Sequence, residues 1–302
     1  MSVKVILNPN ADVGNGINYL DSIREAMRPL GDVDVVLTEG PNHARQLAEE
    51  AVNEGWDVIV AAGGDGTVNE VVNGIMAGGS DDVRLGIIPI GTGNDYAHVL
   101  GVGADVPTAI ATIIRGDTRR VDLALLEDDL DRRRYFINNM GAGFDANVVI
   151  RNAAITKLRG FPKYMAAVLT ALTRDFRPLH LHVRYDDEEV PDQRLFFLYF
   201  GIGTRGGGGF LLTPDALQDD DLIDTCTVPM LSRYKALSLI TAAMEGTHVD
   251  TPYVTMRQNK EVVVHSEEGL PVQVDGEIYA YPEDGVHHLV ITSLPEALLV
   301  IA

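Results

Sequence analysis

Val58-Ile59-Val60-Ala61-Ala62-Gly63-Gly64-Asp65-Gly66-Thr67-Val68-Asn69-Glu70-Val71-Val72-Asn73-Gly74 decides how this chain folds. The apolar run at its start reads as a buried parallel strand, which is covered on both faces and so needs no polar alternation. A helical pattern follows. Three glycines between strand and helix let the backbone turn sharply and come close to a ligand. Loop amides and the helix N-terminus then face an anion. Asp65 sets a carboxylate beside that anion, which is favourable when a divalent cation lies between them. The loop is suited to a metal-bound phosphate. No Gly-Lys-Ser/Thr follows, so it is not the common P-loop.

Working outward, Ile87-Ile88-Pro89-Ile90-Gly91-Thr92-Gly93-Asn94-Asp95-Tyr96-Ala97 repeats the order of apolar strand, Gly-rich turn and helix. Thr92 can donate its hydroxyl to phosphate, and Asn94 or Asp95 can cap the helix that follows. Far downstream, Val272-Gln273-Val274-Asp275-Gly276-Glu277 places two carboxylates around a glycine at the end of a short strand. By itself Asp-Gly is a hairpin signal.

Together these segments resemble the diacylglycerol kinase catalytic superfamily, which includes bacterial lipid kinases and sphingosine kinases. Gly63-Gly64-Asp65-Gly66 is also found in NAD kinases and phosphofructokinases, whereas the Thr67-to-Gly74 extension is typical of lipid kinases. The second loop matches the family's Pro-x-Gly-Thr-x-Asn-Asp-Phe-Ala, with Tyr96 in place of Phe. The resemblance implies that Gly63, Gly64, Gly66, Thr67, Gly91, Thr92 and Asn94 bind ATP. It implies that Asp65 and Asp95 hold Mg2+ or its water shell. The family's Asp-Gly-Glu implies Asp275 as general base, with Glu277 in support. Asn8-Pro9 matches the start of the family's Asn-Pro-x-x-Gly, although the glycine is displaced here, and places Asn8 near the nucleotide. Thr38 stands where the family often has Thr near the adenine. Thr213 to Asp224 aligns with a stretch that holds a structural Mg2+ in bacterial members. Asp220 is the expected carboxylate ligand and Leu222 the second ligand position, with Asp221 replacing the family's glycine.

Composition bounds the answer. The 302 residues are 46% hydrophobic, enough for two domains with a substantial core. No apolar run approaches the roughly 18 residues that span a bilayer. The N-terminal stretch opens directly on a strand pattern, which is unlike an export signal. The single cysteine, Cys226, cannot form an internal disulfide and reads as core. A cytoplasmic location is expected. The net charge of −20 argues against nucleic acid as a partner. Of the 24 basic residues only Lys4, Lys157, Lys163, Lys235 and Lys260 are lysines. An acidic, Lys-poor chain fits a cytoplasm of high salt, where self-repulsion is screened. The acidic run 186–189 reads as a solvated face or loop.

Segment 151–177 is the exception. It holds six basic residues against Asp175, a net +5, so the remainder carries −25. Between its charges the apolar 164–172 reads as a helix. One reading is a packed helix with cationic ends. The other is a surface that meets an anionic membrane, where a kinase reaches a lipid alcohol.

The pattern predicts an α/β chain. Strands over 3–7, 33–38, 58–62 and 85–89 alternate with helices over 16–28, 43–54, 67–77 and 106–115, which implies a doubly wound parallel sheet. Ligands bind such sheets at the C-terminal strand ends, where both glycine loops fall. This nucleotide domain covers 1–122 and is expected to be completed by 293–302. Residues 123–292 read as a mainly antiparallel β-sandwich for the substrate. Its strands are expected over 121–126, 134–138, 180–185, 195–201, 223–227, 261–265, 272–274 and 288–292. Helices are expected near 151–173 and 232–244. Gly201-Ile202-Gly203-Thr204-Arg205-Gly206 fits the dinucleotide fingerprint formally, but no helix follows it.

The expected activity is transfer of the ATP γ-phosphoryl group to a lipid hydroxyl, with Mg2+, by a protein peripherally attached to membranes. The resemblance allows a homodimer. Two alternatives stay open: a kinase of a soluble alcohol such as an NAD kinase, and a non-catalytic nucleotide-binding regulator.

Overall fold

The structure, a computed structural model, describes residues 1–103, 105–158 and 160–302, with the side chain of Phe161 outside the description. Arg159, one of the basic residues of segment 151–177, therefore lies outside the described residues. The chain divides into two compact units, Met1–Asp122 with Glu296–Ala302, and Leu123–Pro295.

The first unit alternates strands β1 (Ser2–Leu7), β2 (Asp32–Leu37), β3 (Val58–Gly63) and β4 (Arg84–Pro89) with helices. The helices are α1 (Ala11–Gly14), α2 (Leu20–Met27), α3 (His43–Glu54), α4 (Asp65–Gly78), α5 (Asp95–Leu100) and α6 (Val106–Arg115). The strands are parallel in the order β2-β1-β3-β4, and Leu299 and Val300 from the last strand of the sequence pair with β4. All six residues of β3 are buried, as an interior parallel strand requires. Val5, Leu7, Val60, Ile88 and Ile113 share one core. The helix expected over 16–28 is instead a 3-10 turn, Gly16–Tyr19, followed by α2. A Cβ at Gly16 would meet the carbonyls of Asn8 and Pro9, so this glycine is fixed by the close backbone rather than by a helix.

Strand β5 (Thr118–Asp128) leads from the first unit into the second. Next come β6 (Arg133–Phe136), β7 (Asn139–Gly143), α7 (Phe144–Ala154), α8 (Gly160–Arg174), β8 (Leu179–Tyr185) and β9 (Glu188–Gly201). Then follow β10 (Ile223–Pro229), α9 (Arg233–Ala243), β11 (Thr255–Asn259), β12 (Glu261–Ser266), β13 (Val272–Val274), β14 (Glu277–Ala280) and β15 (His288–Ile301). The order β14-β13-β7-β9-β8-β12-β15 is antiparallel at every step, and β10 links β9 to β11. This is the antiparallel β-sandwich. In β9, Leu198 and Phe200 enter the sandwich core, while Phe196 and Tyr199 pack under helices α7, α8 and α9. That is why 195–200 reads as a continuous apolar run.

One strand expectation changes. The strand over 134–138 breaks into β6 and β7, because the amides of Ile137 and Asn138 turn to Asp275. The acidic run 186–189 is a largely exposed turn, in keeping with a solvated loop. It forms the β8–β9 hairpin, with Tyr185 paired to Glu188 and the Asp186 carboxylate accepting the N–H groups of Lys260 and Glu261. Of the two readings of 164–172, packing accounts for most of the apolar face: Ala167, Val168, Ala171 and Leu172 lie in the core and the Tyr164 ring packs on Phe210, while Leu169 stays exposed. No helix among the described residues is long and apolar enough to cross a membrane.

Candidate active site

In the first unit the parallel register brings Asn8, Thr38, Gly63 and Ile90 to the C-terminal ends of four neighbouring strands. Asn8 donates its side-chain N–H to Thr67 Oγ1 at 3.1 Å, and its backbone N–H to the Ala62 carbonyl at 2.9 Å. Thr38 is buried and donates its backbone N–H to the Leu7 carbonyl at 3.0 Å. Helix α4 starts at Asp65 with Gly64 as its N-cap, so the first-turn N–H groups of Asp65, Gly66 and Thr67 lack intrahelical acceptors. Such a row of donors can accept an anion.

The two glycine loops interlock. Ile90 donates to the Gly63 carbonyl at 2.8 Å, and the Tyr96 N–H donates to Asp65 Oδ1 at 3.2 Å. A Cβ on Gly91 would lie 2.6 Å from the Gly64 Cα, whereas one on Gly64 would meet only the Gly91 Cα, at 3.4 Å. Gly64 has an extended backbone, φ −91°, so the need for glycine there is closeness rather than a left-handed turn. Asn94 takes the N-cap position of α5 at φ +52° but does not cap it. Its side chain clamps Gly91 instead, accepting from the Gly91 N–H and donating to the Gly91 carbonyl, both at 2.9 Å. Thr92 is exposed and Asp95 is buried.

Burial pushes the Asp65 carboxyl above its ordinary range, and the nearby Asp95 charge pushes it further, against N–H bonds from Tyr96, Asn94 and its own backbone. Two neighbouring carboxylates at the head of a helix would relieve their repulsion by taking a divalent cation with a polyphosphate. The residues present fit Mg2+ with a nucleotide phosphate chain.

The family-typical extension has a structural explanation. Both Glu70 carboxylate oxygens accept backbone N–H bonds at the start of α3, from Asn42 at 2.9 Å and Ala44 at 3.1 Å. A Cβ on Gly74 would strike the Arg45 carbonyl and Ala48, so this glycine lets α3 and α4 approach. From Glu70 onward the motif therefore encodes how α4 is seated against α3.

In the second unit Asp275 (φ +47°) and Gly276 (φ +82°) form a two-residue hairpin between β13 and β14, the conformation Asp-Gly favours. The turn buries the Asp275 carboxylate. Oδ1 accepts the N–H groups of Asn138 (3.1 Å) and Asn139 (2.8 Å), and Oδ2 accepts that of Ile137 (3.1 Å). Three charge-assisted bonds fix its direction. Glu277 is half-exposed and pairs with Arg134 at 2.7 Å.

Behind this turn lies a group that the sequence reading missed. Gln273 donates to Asn139 Oδ1 (2.9 Å) and to Asp145 Oδ2 (2.7 Å), and accepts from the Gly276 N–H (2.8 Å). Asp145 is fully enclosed, and burial pushes its carboxyl up to about 6 despite the Gln273 bond. The available signal was an acid at the head of a helix just after Gly141-Ala142-Gly143. A raised carboxyl favours the protonated folded state. Its cost is absent below about pH 4, grows as pH rises to about 6 and is complete above that. The shift of roughly two units corresponds to about 3 kcal/mol. The difference in unfolding free energy between Asp145→Asn and the parent should therefore move by about 3 kcal/mol in the variant's favour between pH 4 and pH 8. Urea titrations at the two pH values check it, and a pH-independent difference would mean that Asp145 is not titrating in the fold.

In the loop before β10, Asp220 accepts the Leu222 N–H at 3.1 Å and the Gln258 amide at 3.3 Å. Asp221 has a left-handed φ of +67°, a conformation that glycine adopts most readily and Asp or Asn occasionally. Burial pushes the neighbouring Asp224 up to about 6, reinforced by Asp220 and Asp215. Among the described residues no three His, Cys, Asp or Glu side chains are grouped to hold a metal. Cys226 is core, its thiol pushed up to about 12 by burial, and so is no nucleophile.

A parallel-sheet unit with interlocked glycine loops, joined to an antiparallel sandwich carrying an Asp-Gly-Glu turn, defines a phosphotransferase of the kinase class. Residues 2–126 match the diacylglycerol kinase catalytic domain, and residues 138–302 match the YegS C-terminal NAD kinase beta sandwich-like domain. The chain belongs to the diacylglycerol kinase family with a YegS-type C-terminal domain. It is 33% identical over 302 residues to a diacylglycerol kinase of Mycobacterium tuberculosis, covering 99% of this chain and 94% of the relative. In fold it is similar to a diacylglycerol kinase from Bacillus anthracis, with a TM-score of 0.71 at 21% identity, covering 99% and 96% of the two chains. An NAD kinase from Archaeoglobus fulgidus, solved in complex with ATP, shares the fold at a TM-score of 0.55 and 14% identity, covering 100% and 94%.

Proposed function

We propose that this chain is a lipid kinase that transfers the γ-phosphoryl group of ATP to the hydroxyl of a diacylglycerol-like or sphingoid-like lipid. The observation that carries the reading is the interlocked pair of glycine loops with Asp65 at the head of α4. Gly63, Gly64, Gly66, Thr67, Gly91 and Thr92 surround the phosphates, Asn8 and Thr38 flank the nucleotide, and Asn94 acts by holding Gly91. Asp65 and Asp95 hold Mg2+, which offsets negative charge on the transferring phosphoryl group. Asp275 takes the acceptor's proton at a carboxylate oxygen aimed by its three N–H donors. Glu277 supports the turn through Arg134. Asp220 and the Leu222 carbonyl hold a structural Mg2+ in the turn at Asp221. The protein acts in a cytoplasm of high salt and attaches peripherally to membranes, as a monomer or a homodimer.

The test uses labelled ATP and Mg2+ with diacylglycerol or sphingosine in vesicles, with NAD, and with no acceptor. Label on a lipid, dependent on Mg2+, is the expected result. Label on NAD alone would make the chain a soluble-alcohol kinase. ATP binding without transfer to any acceptor would make it a regulator.

A further inference from the structure

Most of the apolar face of 164–172 is packed in the core, with Leu169 left exposed at 51%, and a larger exposed apolar face lies elsewhere. Helix α9 carries it. Tyr234, Leu237, Thr241 and Met244 recur at intervals of three and four residues, which sets them in one stripe. All four are exposed, Tyr234 at 84%, Leu237 at 42% and Met244 at 41%. The opposite face, with Ala236 and Ala243, is in the core beside Leu239 and Ile240. Side-chain contacts tie the start of the helix to the end of α8. The Arg233 Nε donates to the Leu172 carbonyl at 3.0 Å, and its guanidinium lies 4.9 Å over the Phe176 ring.

This junction concentrates positive charge. Arg174, Arg177, Arg233 and Lys235 are exposed at this junction, and Asp175, which stands between the first two in sequence, is paired with Arg151 at 2.6 Å, while Glu245 is the exposed acid at the far end of the stripe. Among the described residues, Arg174 and Arg177 have no ion-pair partner. The whole chain carries −20, so a cationic cluster beside its most exposed large apolar side chain runs against the composition.

We propose that the exposed stripe of α9, flanked by Arg174, Arg177, Arg233 and Lys235, docks on a bilayer rich in anionic phospholipid; this rests on the lipid-kinase reading. Charge complementarity selects that occupant. An amphipathic aromatic at its tip suits the headgroup layer, and apolar neighbours enter beneath it. A second copy of the chain fits worse. Like charges would face each other, and four side chains on an 11-residue helix fall far short of the roughly 800 Å2 per partner of a stable interface.

The test is flotation of the full chain with phosphatidylglycerol–phosphatidylcholine vesicles and with phosphatidylcholine alone, without ATP, at about 0.1 M and about 1 M salt. The parent should partition preferentially onto the anionic vesicles. Tyr234→Ser with Leu237→Ser and Met244→Ser should lose at least tenfold in partitioning at both salts. Arg174→Gln with Arg177→Gln and Lys235→Gln should lose a similar factor only at low salt, because the Debye length falls to about 3 Å at 1 M. Both variants should keep turnover on a short-chain, water-soluble diacylglycerol. Unchanged partitioning in the apolar variant, or a parent that ignores anionic vesicles, overturns the proposal. A fall in oligomeric state by sedimentation velocity, with vesicle binding intact, overturns it in favour of a second copy. If no lipid alcohol is phosphorylated by the parent while the vesicle results hold, the kinase reading fails and the docking surface stands.

Discussion

Asp275→Asn should lower kcat by about 100-fold or more on a vesicle-borne acceptor while ATP binding persists. A positioned base contributes about 10²–10⁴-fold. The substitution removes that base with little change of shape. The structure also shows its side effect. An asparagine oxygen can still accept from Asn138 and Asn139, but its NH2 would face the Ile137 N–H, which now donates to Oδ2. Loss of that one bond should cost about 1–3 kcal/mol of stability. Three measurements separate the effects: turnover, ATP affinity by calorimetry and the thermal midpoint. A folded Asn variant with near-normal turnover would remove Asp275 from the chemistry and leave it as the clamp of residues 137–139.

A second large effect comes from a pair of alanines. Gly64→Ala adds a methyl that meets only the Gly91 Cα, at 3.4 Å, so the protein should fold with nearly parental stability. The methyl would nevertheless stand beside the first-turn amides of α4, where a phosphate oxygen is expected. ATP affinity should fall by tenfold or more. Gly91→Ala drives its methyl to 2.6 Å from the Gly64 Cα and 2.7 Å from Asn94 Oδ1. The two loops must then separate, which should cost about 1–3 kcal/mol of stability as well as ATP affinity. Calorimetry with and without Mg2+, alongside thermal melts, distinguishes the variants. Unchanged affinity in both would remove the loops from nucleotide binding.

Much of this architecture could be read before any coordinates. Parallel strands announce themselves as short apolar runs such as 58–62, and glycine loops at their ends need only local sequence. The interlock of the loops was not legible, because the contact of Gly64 with Gly91 depends on β3 and β4 being neighbours. Asp275 was recognised by its local context, yet its donors lie 136 to 138 residues away in sequence. No spacing rule reaches that far. Asp145 was missed for the same reason: its raised carboxyl arises from enclosure, and its only cue was an ordinary acid in a helix's first turn. The helix in 164–172 was visible, but periodicity cannot say whether an apolar face meets protein or lipid. Asn94 was expected to be able to cap a helix, and its side chain holds Gly91 instead.

The course of the chain through β5 and back along β15 bears on how the molecule is made. The second unit is a continuous stretch, so it can close as soon as residue 295 has left the ribosome. The first unit cannot, although its strands β1 to β4 are synthesised early. One side of β4 is paired by Leu299 and Val300, which are translated after the whole second unit. Until then a nascent parallel sheet carries a bare edge, open to pairing with other chains. Synthesis of this enzyme thus has a vulnerable interval, set by the length of the inserted unit, during which a holding chaperone would have its greatest value.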